Sequence, residues 1–442
     1  LLYGNEGKSV ASLTFTQNLF LENDFGIRSI GQLFNVNVMT NNEFRGPYNC
    51  NLPDVGICDC YVSDAIHIEN INGVGIVFPQ TNHHNNIIQY YQNGLYASNS
   101  NVTFRNFEIT NGILNLSTPL VSSNAVYLRV NNSANNFILD DVYFHSMLRG
   151  AKFDLTKANL KLNAVANIPN SSILMEDVTK GYDITATTGN IDGNIKQNTI
   201  ITAGVTGAYI EGSRGIKVSL AGSANNNLNI EQNNIVGDAK DLIGVSITAN
   251  VQASQKVIVD DNNITTYSSG ANISGAGIYL SNINTANIIN NVVDANSKIN
   301  GITVQSSSKG YIKCNDVTHG KIGLDVNNAK SNIIYHNNLH NNDVNNLRFL
   351  YDCKGTGTRI VNNTFSISEN GSDVNYDNKA FTGPQLHKYY NSWLNQDPTD
   401  YEVHQPFSNY TDQTKYWRPA SATLGSIHFP IFYVNGMMVT AA

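Results

Sequence analysis

Apolar and polar residues alternate over short stretches along most of the chain, and pairs of turn-forming residues interrupt the alternation. Each pair consists of Asn, Asp or a close substitute, follows apolar residues and usually precedes a β-branched residue. The pairs are Asp140-Asp141, Glu176-Asp177, Gln197-Asn198, Asn233-Asn234, Asn262-Asn263, Asn290-Asn291, Asn315-Asp316, Asn337-Asn338 and Asn362-Asn363. Alternation with a period of two predicts strands, and the recurrence of the pair predicts a stack of similar units.

The spacing of these pairs sets the size of the unit. Successive pairs are 21 to 36 residues apart; we interpret steps of 21 to 25 residues as one unit and the longer steps as a unit with an insertion. A unit of this length, with two or three short strands and no helical periodicity, is one coil of a parallel β-helix. Asn suits the turn because it tolerates left-handed backbone geometry, and stacked Asn side chains can hydrogen-bond from coil to coil.

A second register supports the same unit. About ten residues after most pairs, a small residue precedes an alternating strand, as in Gly277-Ile278-Tyr279-Leu280. The apolar residues of such a strand point inward, so the residue between them points outward, and stacking spaces these outward residues by about 4.8 Å. The predicted outer ladder is Tyr127, Lys152, Asp183, Tyr209, Ser246, Tyr279, Thr303, Asp325 and Arg348. Two positions further along the early strands lie Arg129, Asp154, Thr185 and Glu211.

The predicted fold class is therefore all-β, with a parallel β-helix over residues 66–368. Residues 1–65 are predicted to cap the open end of the helix, since an uncovered sheet end invites aggregation. Residues 369–442 contain both Trp residues of the chain and are predicted to form a second cap or small β domain.

Composition narrows the possible function classes. Only 14% of the residues are charged, and 68 of the 442 residues are Asn, which together with 34 Gly disfavours a helical bundle. The net charge of -7 provides no basic stripe for nucleic acid, and no apolar run is long enough to cross a bilayer. We expect no nucleic-acid partner, no membrane insertion, no cofactor and no metal, since neither a phosphate-cradling loop nor a convincing metal-ligand cluster occurs.

Acidic, basic and aromatic residues share the outward face of the early coils, a mixture that suits an extended sugar chain. Hydrolysis with inversion uses two carboxyl groups about 6.5 to 9.5 Å apart. Asp183 is predicted to lie one coil from both Asp154 and Glu211, with an offset of two residues, at backbone separations of about 8 Å. These three are our candidate catalytic carboxylates, and the alternative is that they form a solvated acidic face.

A second candidate catalytic pair is Asp140 and Glu176, which the register of the turn pairs places about 5 Å apart. Shielded carboxylates at that distance would share a proton, although a role in the turn explains the same positions. His145 and Arg149 could serve a lyase acting on uronic acids, as a base and as the group that neutralises the sugar carboxylate. A loop His and a solvated Arg are the alternative.

Candidate substrate-binding residues are the aromatic and basic side chains of the same coils, with one aromatic residue further along. They are Tyr127, Arg129, His145, Arg149, Lys152, Tyr209, Arg214 and Tyr279.

Asn-rich coils, stacked Asn turns, an outward face with acidic and aromatic residues and an aromatic C-terminal tail together resemble a bacteriophage tailspike. This family of polysaccharide depolymerases has a right-handed parallel β-helix of the pectate-lyase type. The resemblance covers residues 66–368, is architectural, and carries no residue-level signature, so no catalytic residue transfers. It implies a homotrimer on the virion that binds and cleaves bacterial capsule or O-antigen. It also implies that a segment preceding Leu1, which would attach the protein to the phage baseplate or tail, is missing.

Three functions remain open at this point. The first is a tailspike hydrolase with paired carboxylates, and the second is a polysaccharide lyase or epimerase of the same fold. The third is a non-enzymatic β-helical fibre or adhesin. Product analysis separates them, because hydrolysis gives saturated oligomers, elimination gives unsaturated ends, and a pure binder gives neither.

Overall fold

The fold was analysed in a computed structural model of the chain. It describes residues 2–3, 12–21, 23–31, 33–46, 64–79, 85–110, 123–131, 133–166, 172–203, 213–221, 226–238, 243–250, 255–267, 275–295, 298–350, 353, 359–361, 363–366, 374–376, 387–389, 391–394, 417–419, 431–434 and 437–440.

The chain divides into two compact units, Leu1–Asp241 and Leu242–Ala442. The described parts of both units consist of strands and their connections. The first unit contains β1 (Leu2–Tyr3), β2 (Ser12–Thr16), β3 (Leu19–Leu21), β4 (Phe25–Ile30), β5 (Asn35–Thr40), β6 (Glu43–Arg45), β7 (Asp64–Glu69), β8 (Ile76–Val77), β9 (Asn86–Gln89), β10 (Asn93–Ser98), β11 (Val102–Thr110), β12 (Asn124–Asn131), β13 (Ala134–Thr156), β14 (Asn159–Val165), β15 (Ile173–Ala186), β16 (Asn190–Lys196), β17 (Asn198–Ala203), β18 (Arg214–Leu220), β19 (Asn226–Glu231) and β20 (Asn234–Asp238).

The strands of the second unit are three to seven residues long. They are β21 (Ile243–Ala249), β22 (Gln255–Asp260), β23 (Asn263–Tyr267), β24 (Ala276–Ser281), β25 (Ala286–Ile289), β26 (Val292–Asp294), β27 (Asn300–Gln305), β28 (Tyr311–Lys313), β29 (Asp316–Thr318), β30 (Ile322–Asn327), β31 (Ile333–Tyr335), β32 (Asn338–His340), β33 (Asn345–Leu350), β34 (Arg359–Val361), β35 (Thr364–Ser366), β36 (Val374–Tyr376), β37 (His387–Tyr389), β38 (Asn391–Leu394), β39 (Trp417–Pro419), β40 (Ile431–Val434) and β41 (Met437–Thr440).

Most of the described strands pair in parallel with their equivalent one coil further along the chain. In the second unit β24 pairs with β27, β25 with β28 and β26 with β29, so one coil contributes one strand to each of three sheets. In the first unit β7 pairs with β10 and β10 with β12 in the same way. This is the predicted all-β parallel β-helix, and the right-handed coil is the hand that parallel crossovers adopt.

The parallel stacking extends beyond the predicted coil region in both directions. β4 pairs with β7, and β33 pairs with β36, each in the register of a coil. β40 and β41 form an antiparallel pair. The capping role of residues 1–65 and the separate domain at 369–442 stay predictions.

The core of each coil is filled by the inward side of the alternating strands. In the second unit Ile278, Ile302 and Leu324 occupy the same position of successive coils, and each is fully buried. The small residue that precedes these strands is explained by close approach of the next coil. A Cβ atom added to Gly277 would lie 2.3 Å from Val293 Cγ1 and 2.8 Å from the carbonyl oxygen of Gly301.

Replacement of Gly277 by Ala is therefore expected to destabilise the second unit by about 1 to 3 kcal/mol, because the backbone of the neighbouring coil must move. Gly193→Ala is the matched control, since its nearest atom would be the flexible end of Leu228 at 3.1 Å. Urea unfolding of both variants measures the difference. Equal midpoints for the two variants would show that the glycine position tolerates a methyl group.

Stacked asparagines lie at one corner of the coil, as the sequence predicted. In the second unit the asparagine ladder is Asn262, Asn291, Asn315, Asn337 and Asn363, and each donates from its side chain to the next at 2.9 to 3.0 Å. The preceding backbone is left-handed, with φ of 54° at Asp261 and 53° at Asn290. In the first unit Asn198 donates to Asn233 at 3.0 Å in the same manner.

The prediction that Glu176-Asp177 belongs to this corner is wrong. Glu176 is in register with His145 and Ile201, three residues past the position that aligns with Asn198. Asp177, with φ of 51°, forms the following corner, where Ser146 of the preceding coil has φ of 56°. Two corners of the coil thus use left-handed residues, and a polar pair alone does not distinguish them.

Candidate functional site

We call the sheet of β4, β7, β10, β12, the end of β13, β15 and β18 the first sheet, and the sheet of β14, β16 and β19 the second sheet. The outward side of the first sheet carries the predicted ladder through the first unit. Tyr127 is in register with Lys152, and Lys152 with Asp183, which confirms the predicted positions of these three residues. The alignment also confirms that Arg129 lies beside Asp154. The ladder begins earlier than predicted, because Arg28, His67 and Tyr96 occupy the same position on three preceding coils.

The predicted continuation of the ladder through Tyr209 is wrong. Asp183 is in register with Lys217 of β18, so Lys217 occupies the next coil's position. Tyr209 and the candidate carboxylate Glu211 lie outside the described residues. The sequence 207–210 has the same small-then-alternating pattern as residues 215–218, which is why the pattern selected the wrong segment.

Asp183 is surrounded by cations from three successive coils. Its Oδ2 atom lies 3.0 Å from Arg149 Nε and 3.3 Å from Lys180 Nζ, and its Oδ1 atom lies 3.8 Å from Lys217 Nζ. The Asp183 and Lys180 side chains are 8% and 4% exposed. Burial by itself raises the pKa of Asp183, but Lys180, Lys217 and Arg149 together hold this pKa below its usual range. The carboxyl group is therefore ionised at neutral pH.

A second ionic group lies beside the first. Lys152 Nζ is 3.0 Å from Asp154 Oδ2 and 4.3 Å from the centre of the Tyr127 ring. The Tyr127 hydroxyl donates to Asp154 Oδ2 at 2.8 Å. Burial and this hydrogen bond raise the pKa of Tyr127, so the phenol keeps its proton across the physiological range.

Positive charge dominates this part of the sheet, which we call the cationic face. Its six basic residues are Arg129, Arg149, Lys152, Lys180, Arg214 and Lys217, and its carboxylates are Asp154 and Asp183. Arg214 is in register with Lys180, and its Nη1 atom donates to the carbonyl oxygen of Ser213 at 2.9 Å. The Nη1 atom of Arg149 is buried and makes no hydrogen bond within the described residues.

The predicted proximity of Asp140 and Glu176 is wrong. Asp140 lies beside Arg105 of the preceding coil, whereas Glu176 lies beside His145. Glu176 instead accepts a hydrogen bond of 2.6 Å from the Tyr143 hydroxyl. That hydrogen bond, together with burial, raises the pKa of Tyr143 to about 12.

His145 and Arg149 do not form the predicted pair. His145 Nδ1 lies 3.0 Å from Thr110 Oγ1, and its Nε2 atom lies 3.1 Å from Glu108 Oε1. The chain turns between the two residues at Ser146, and Arg149 points to Asp183 on the first sheet. His145 and Glu176 thus belong to a neighbouring sheet.

Tyr279 lies in the second unit, on the outward side of β24. It is in register with Ser246 and Thr303, and Thr303 with Asp325, as predicted. Its hydroxyl donates to Gln305 at 2.6 Å, and Arg348 forms a two-pronged ion pair with Asp325 at 2.9 and 2.8 Å. The polar groups of Tyr279 and Arg348 thus bind other side chains of the second unit.

Two residues of the cationic face were not predicted from the sequence. Lys180 was missed because it lies before the alternating strand, although its spacing of three residues from Asp183 matches that of Arg149 from Lys152. Lys217 was missed because the coil register was wrong. Within the described residues no group of three His, Cys, Asp or Glu side chains is arranged to hold a metal ion. The described residues also include no helix long and apolar enough to cross a membrane.

Comparison with known proteins gives little further information. No protein-family model matches the chain, and no curated protein matches it. Among solved structures, it is similar to a mannuronic-acid-specific polysaccharide family 6 lyase from human gut microbiota. The identity is 11% and the TM-score 0.37, over 92% of this chain and 91% of that chain. Similarity at this level carries no argument about the activity of this chain.

Proposed function

We propose that the first unit binds an acidic polysaccharide on its cationic face and cleaves it by β-elimination. The observation that carries the proposal is the excess of basic residues on this face, where Arg149, Lys180 and Lys217 surround a single ionised carboxylate. Such a surface attracts polyanions, and a sugar carboxylate accepts hydrogen bonds well from guanidinium and ammonium groups. Arg149 has a buried donor atom to contribute.

Elimination needs few protein groups beyond these cations. A base removes the proton from the carbon next to the sugar carboxylate, and the electron pair forms a carbon–carbon double bond as the glycosidic carbon–oxygen bond breaks. The departing oxygen then takes a proton from an acid. Cations beside the carboxylate stabilise the negative charge that develops before the bond breaks.

Two neighbouring residues of the ladder suit the proton transfers. We assign Lys152 as the acid, because its ammonium group, ion-paired with Asp154, lies over the Tyr127 ring on the same face and can pass a proton to the departing oxygen. We assign Tyr127 as the base, because its phenol oxygen can take the proton from carbon while the phenol proton passes along the 2.8 Å hydrogen bond to Asp154 Oδ2. Proton transfer by a positioned side chain contributes about 10² to 10⁴ in rate.

Hydrolysis with paired carboxylates has less support. Its general acid must carry a proton at neutral pH, whereas three cations keep Asp183 ionised. Asp154 already binds Lys152 and Tyr127. Hydrolysis with Asp183, Asp154 or Glu211 therefore remains the second candidate.

Replacement of Lys152 by Arg is expected to lower the elimination rate at least about 100-fold while leaving polymer binding nearly unchanged. Arginine keeps the positive charge but does not release its proton, so it cannot act as the acid. The measurement is the appearance of ultraviolet-absorbing unsaturated ends from a uronic-acid polysaccharide, alongside affinity electrophoresis in the same polymer.

Lys161→Arg is the control, because Lys161 is exposed on the second sheet of the same unit. Full activity of Lys152→Arg would remove Lys152 from the mechanism. If the unmodified protein gives saturated products, the reaction is hydrolysis and not elimination. Binding with neither product would favour the fibre or adhesin.

The tailspike assignment is part of the same proposal. It gives the chain a bacterial capsule or O-antigen as partner, a homotrimeric assembly and a place on the phage tail, where the protein acts outside the host cell. Its support is the architecture of stacked Asn-rich coils. Light scattering of the purified chain tests the assembly, and a monomer mass at micromolar concentration would contradict it.

A further inference from the structure

The outward face of the first sheet changes its charge along the stack of coils. The cationic face occupies four successive coils, represented in the ladder by Tyr127, Lys152, Asp183 and Lys217. The three preceding coils present Arg28, His67 and Tyr96 at the same position. The sequence analysis did not include these three coils in the site.

The coil of β7 carries an acidic cluster formed by Asp64, His67 and Glu69. His67 Nδ1 lies 2.6 Å from Asp64 Oδ2, and its Nε2 atom contacts Glu69 Oε1. Burial lowers the pKa of His67, but the two carboxylates outweigh this effect and raise it. Both carboxylates thus hold the imidazole from its two sides.

The next coil presents uncharged groups. Asn93, Tyr96 and Ser98 are in register with Asp64, His67 and Glu69, in that order. Asn93 donates to Asp64 at 2.7 Å, and the Tyr96 ring stacks on His67 with centroids 4.8 Å apart. Hydroxyl and amide groups of this kind form hydrogen bonds with the hydroxyl groups of uncharged sugars. They carry no positive charge, so they do not favour a carboxylate over a hydroxyl group.

The first three coils and the following four therefore differ in net charge on this face. On the coils of β4, β7 and β10 the basic groups Arg28 and His67 are matched by two carboxylates, so no positive charge is in excess. Among the described residues of the first sheet in the following four coils, six basic residues face two carboxylates. A polymer lying along the stack crosses from one segment to the other within one coil step of about 4.8 Å.

We infer that the polymer recognised here is a heteropolysaccharide in which acidic sugars are separated by uncharged ones, and not a homopolyuronate. The acidic sugar binds at the cationic face, and the uncharged sugars that follow it contact Tyr96, Ser98 and Glu69. A homopolyuronate would place a carboxylate beside Glu69, whose side chain is partly exposed. The inference rests on the proposed function, because it assumes that the polymer lies along this face.

Two polymers with different carboxylate spacing test the inference. Hyaluronan has one uronic acid in every second sugar, and polymannuronate has one in every sugar. Affinity electrophoresis at low ionic strength compares their binding, at equal uronic acid content, to the full chain. We expect hyaluronan to bind on the order of fivefold more tightly than polymannuronate. Glu69→Lys should remove this preference by extending the positive charge, and Glu69→Gln should reduce it.

Asp192→Lys is the control for net charge, because Asp192 is exposed on the second sheet of the same unit. Circular dichroism checks that each variant is folded. Equal binding of the two polymers by the unmodified chain would overturn the inference alone, as would an equal effect of Asp192→Lys. Binding of neither polymer would overturn the proposed function itself.

Discussion

Replacement of Asp183 by Asn is expected to lower the free energy of unfolding of the first unit by about 3 kcal/mol at neutral pH. The carboxylate is 8% exposed and makes ionic contacts with Arg149, Lys180 and Lys217. Its loss removes the negative charge that compensates the 4% exposed ammonium group of Lys180. Replacement of a catalytic acid at the surface would instead lower activity without loss of stability.

The stabilising contribution of Asp183 should depend on pH in a defined direction. Because the pKa of Asp183 is lower in the folded chain than in the unfolded one, its stabilising contribution is present above the ordinary carboxyl pKa of about 3.9. The contribution is lost as the pH falls through the lowered folded value. The difference between the unmodified chain and Asp183→Asn should therefore shrink in strong acid. Urea unfolding at neutral and acidic pH measures it.

Asp154→Asn is the matched control for Asp183→Asn. Asp154 is 31% exposed and also contacts a lysine, so its replacement should cost less than about 1 kcal/mol. If Asp183→Asn unfolds at the same urea concentration as the unmodified chain, the ionic cluster does not stabilise the fold. A simultaneous loss of cleavage would then restore Asp183 as a catalytic carboxylate.

Replacement of Asn291 by Ala is expected to destabilise the second unit by about 3 kcal/mol or more. The fully buried side chain of Asn291 donates to Asn315 and to the carbonyl oxygens of Val259 and Ile289. Its own oxygen accepts from both the backbone and side-chain nitrogens of Asn262. Alanine leaves several of these buried groups without a partner at once.

Two further variants separate hydrogen bonding from volume. Asn291→Asp keeps the acceptor for Asn262 but loses the donors and brings a negative charge toward Asn315 Oδ1, so it should be destabilised as well. Asn287→Ala should change little, because its side-chain oxygen accepts one exposed hydrogen bond of 3.3 Å from the Tyr311 backbone nitrogen. Thermal unfolding followed by circular dichroism ranks the variants. A stability of Asn291→Ala equal to that of Asn287→Ala would contradict a stabilising role for the asparagine ladder.

The coil repeat could be predicted because its causes are local. Asn315 and Asn337 lie at a corner of the coil where their side chains hydrogen-bond to each other. Gly277 precedes its strand because a neighbouring carbonyl oxygen leaves no space for a Cβ atom. Each of these constraints returns with every coil, so repetition makes it visible in one sequence.

The contacts of the candidate site could not be predicted in the same way. The alignment of Asp183 with Lys217 depends on how many residues the intervening connection contains, and segments such as 204–212 vary between coils. A wrong choice there moved Tyr209 into the ladder. It also concealed that Asp183 meets cations on both sides, which changed the chemistry assigned to it.

The corner to which a left-handed residue belongs could not be predicted from the sequence either. Asp177 and Asn290 have almost the same backbone angle, of 51° and 53°, yet they lie at different corners of the coil. The preference of a polar residue for this conformation is a property of the residue, whereas the identity of the corner depends on which coil it aligns with.

Parallel pairing of successive coils makes the stack of the second unit extensible in whole coils. Asn315 and Asn337 are 22 residues apart, so removal or duplication of such a segment would leave every remaining rung with a partner of the same kind. Evolution could therefore lengthen or shorten such a stack of coils without redesigning its interior.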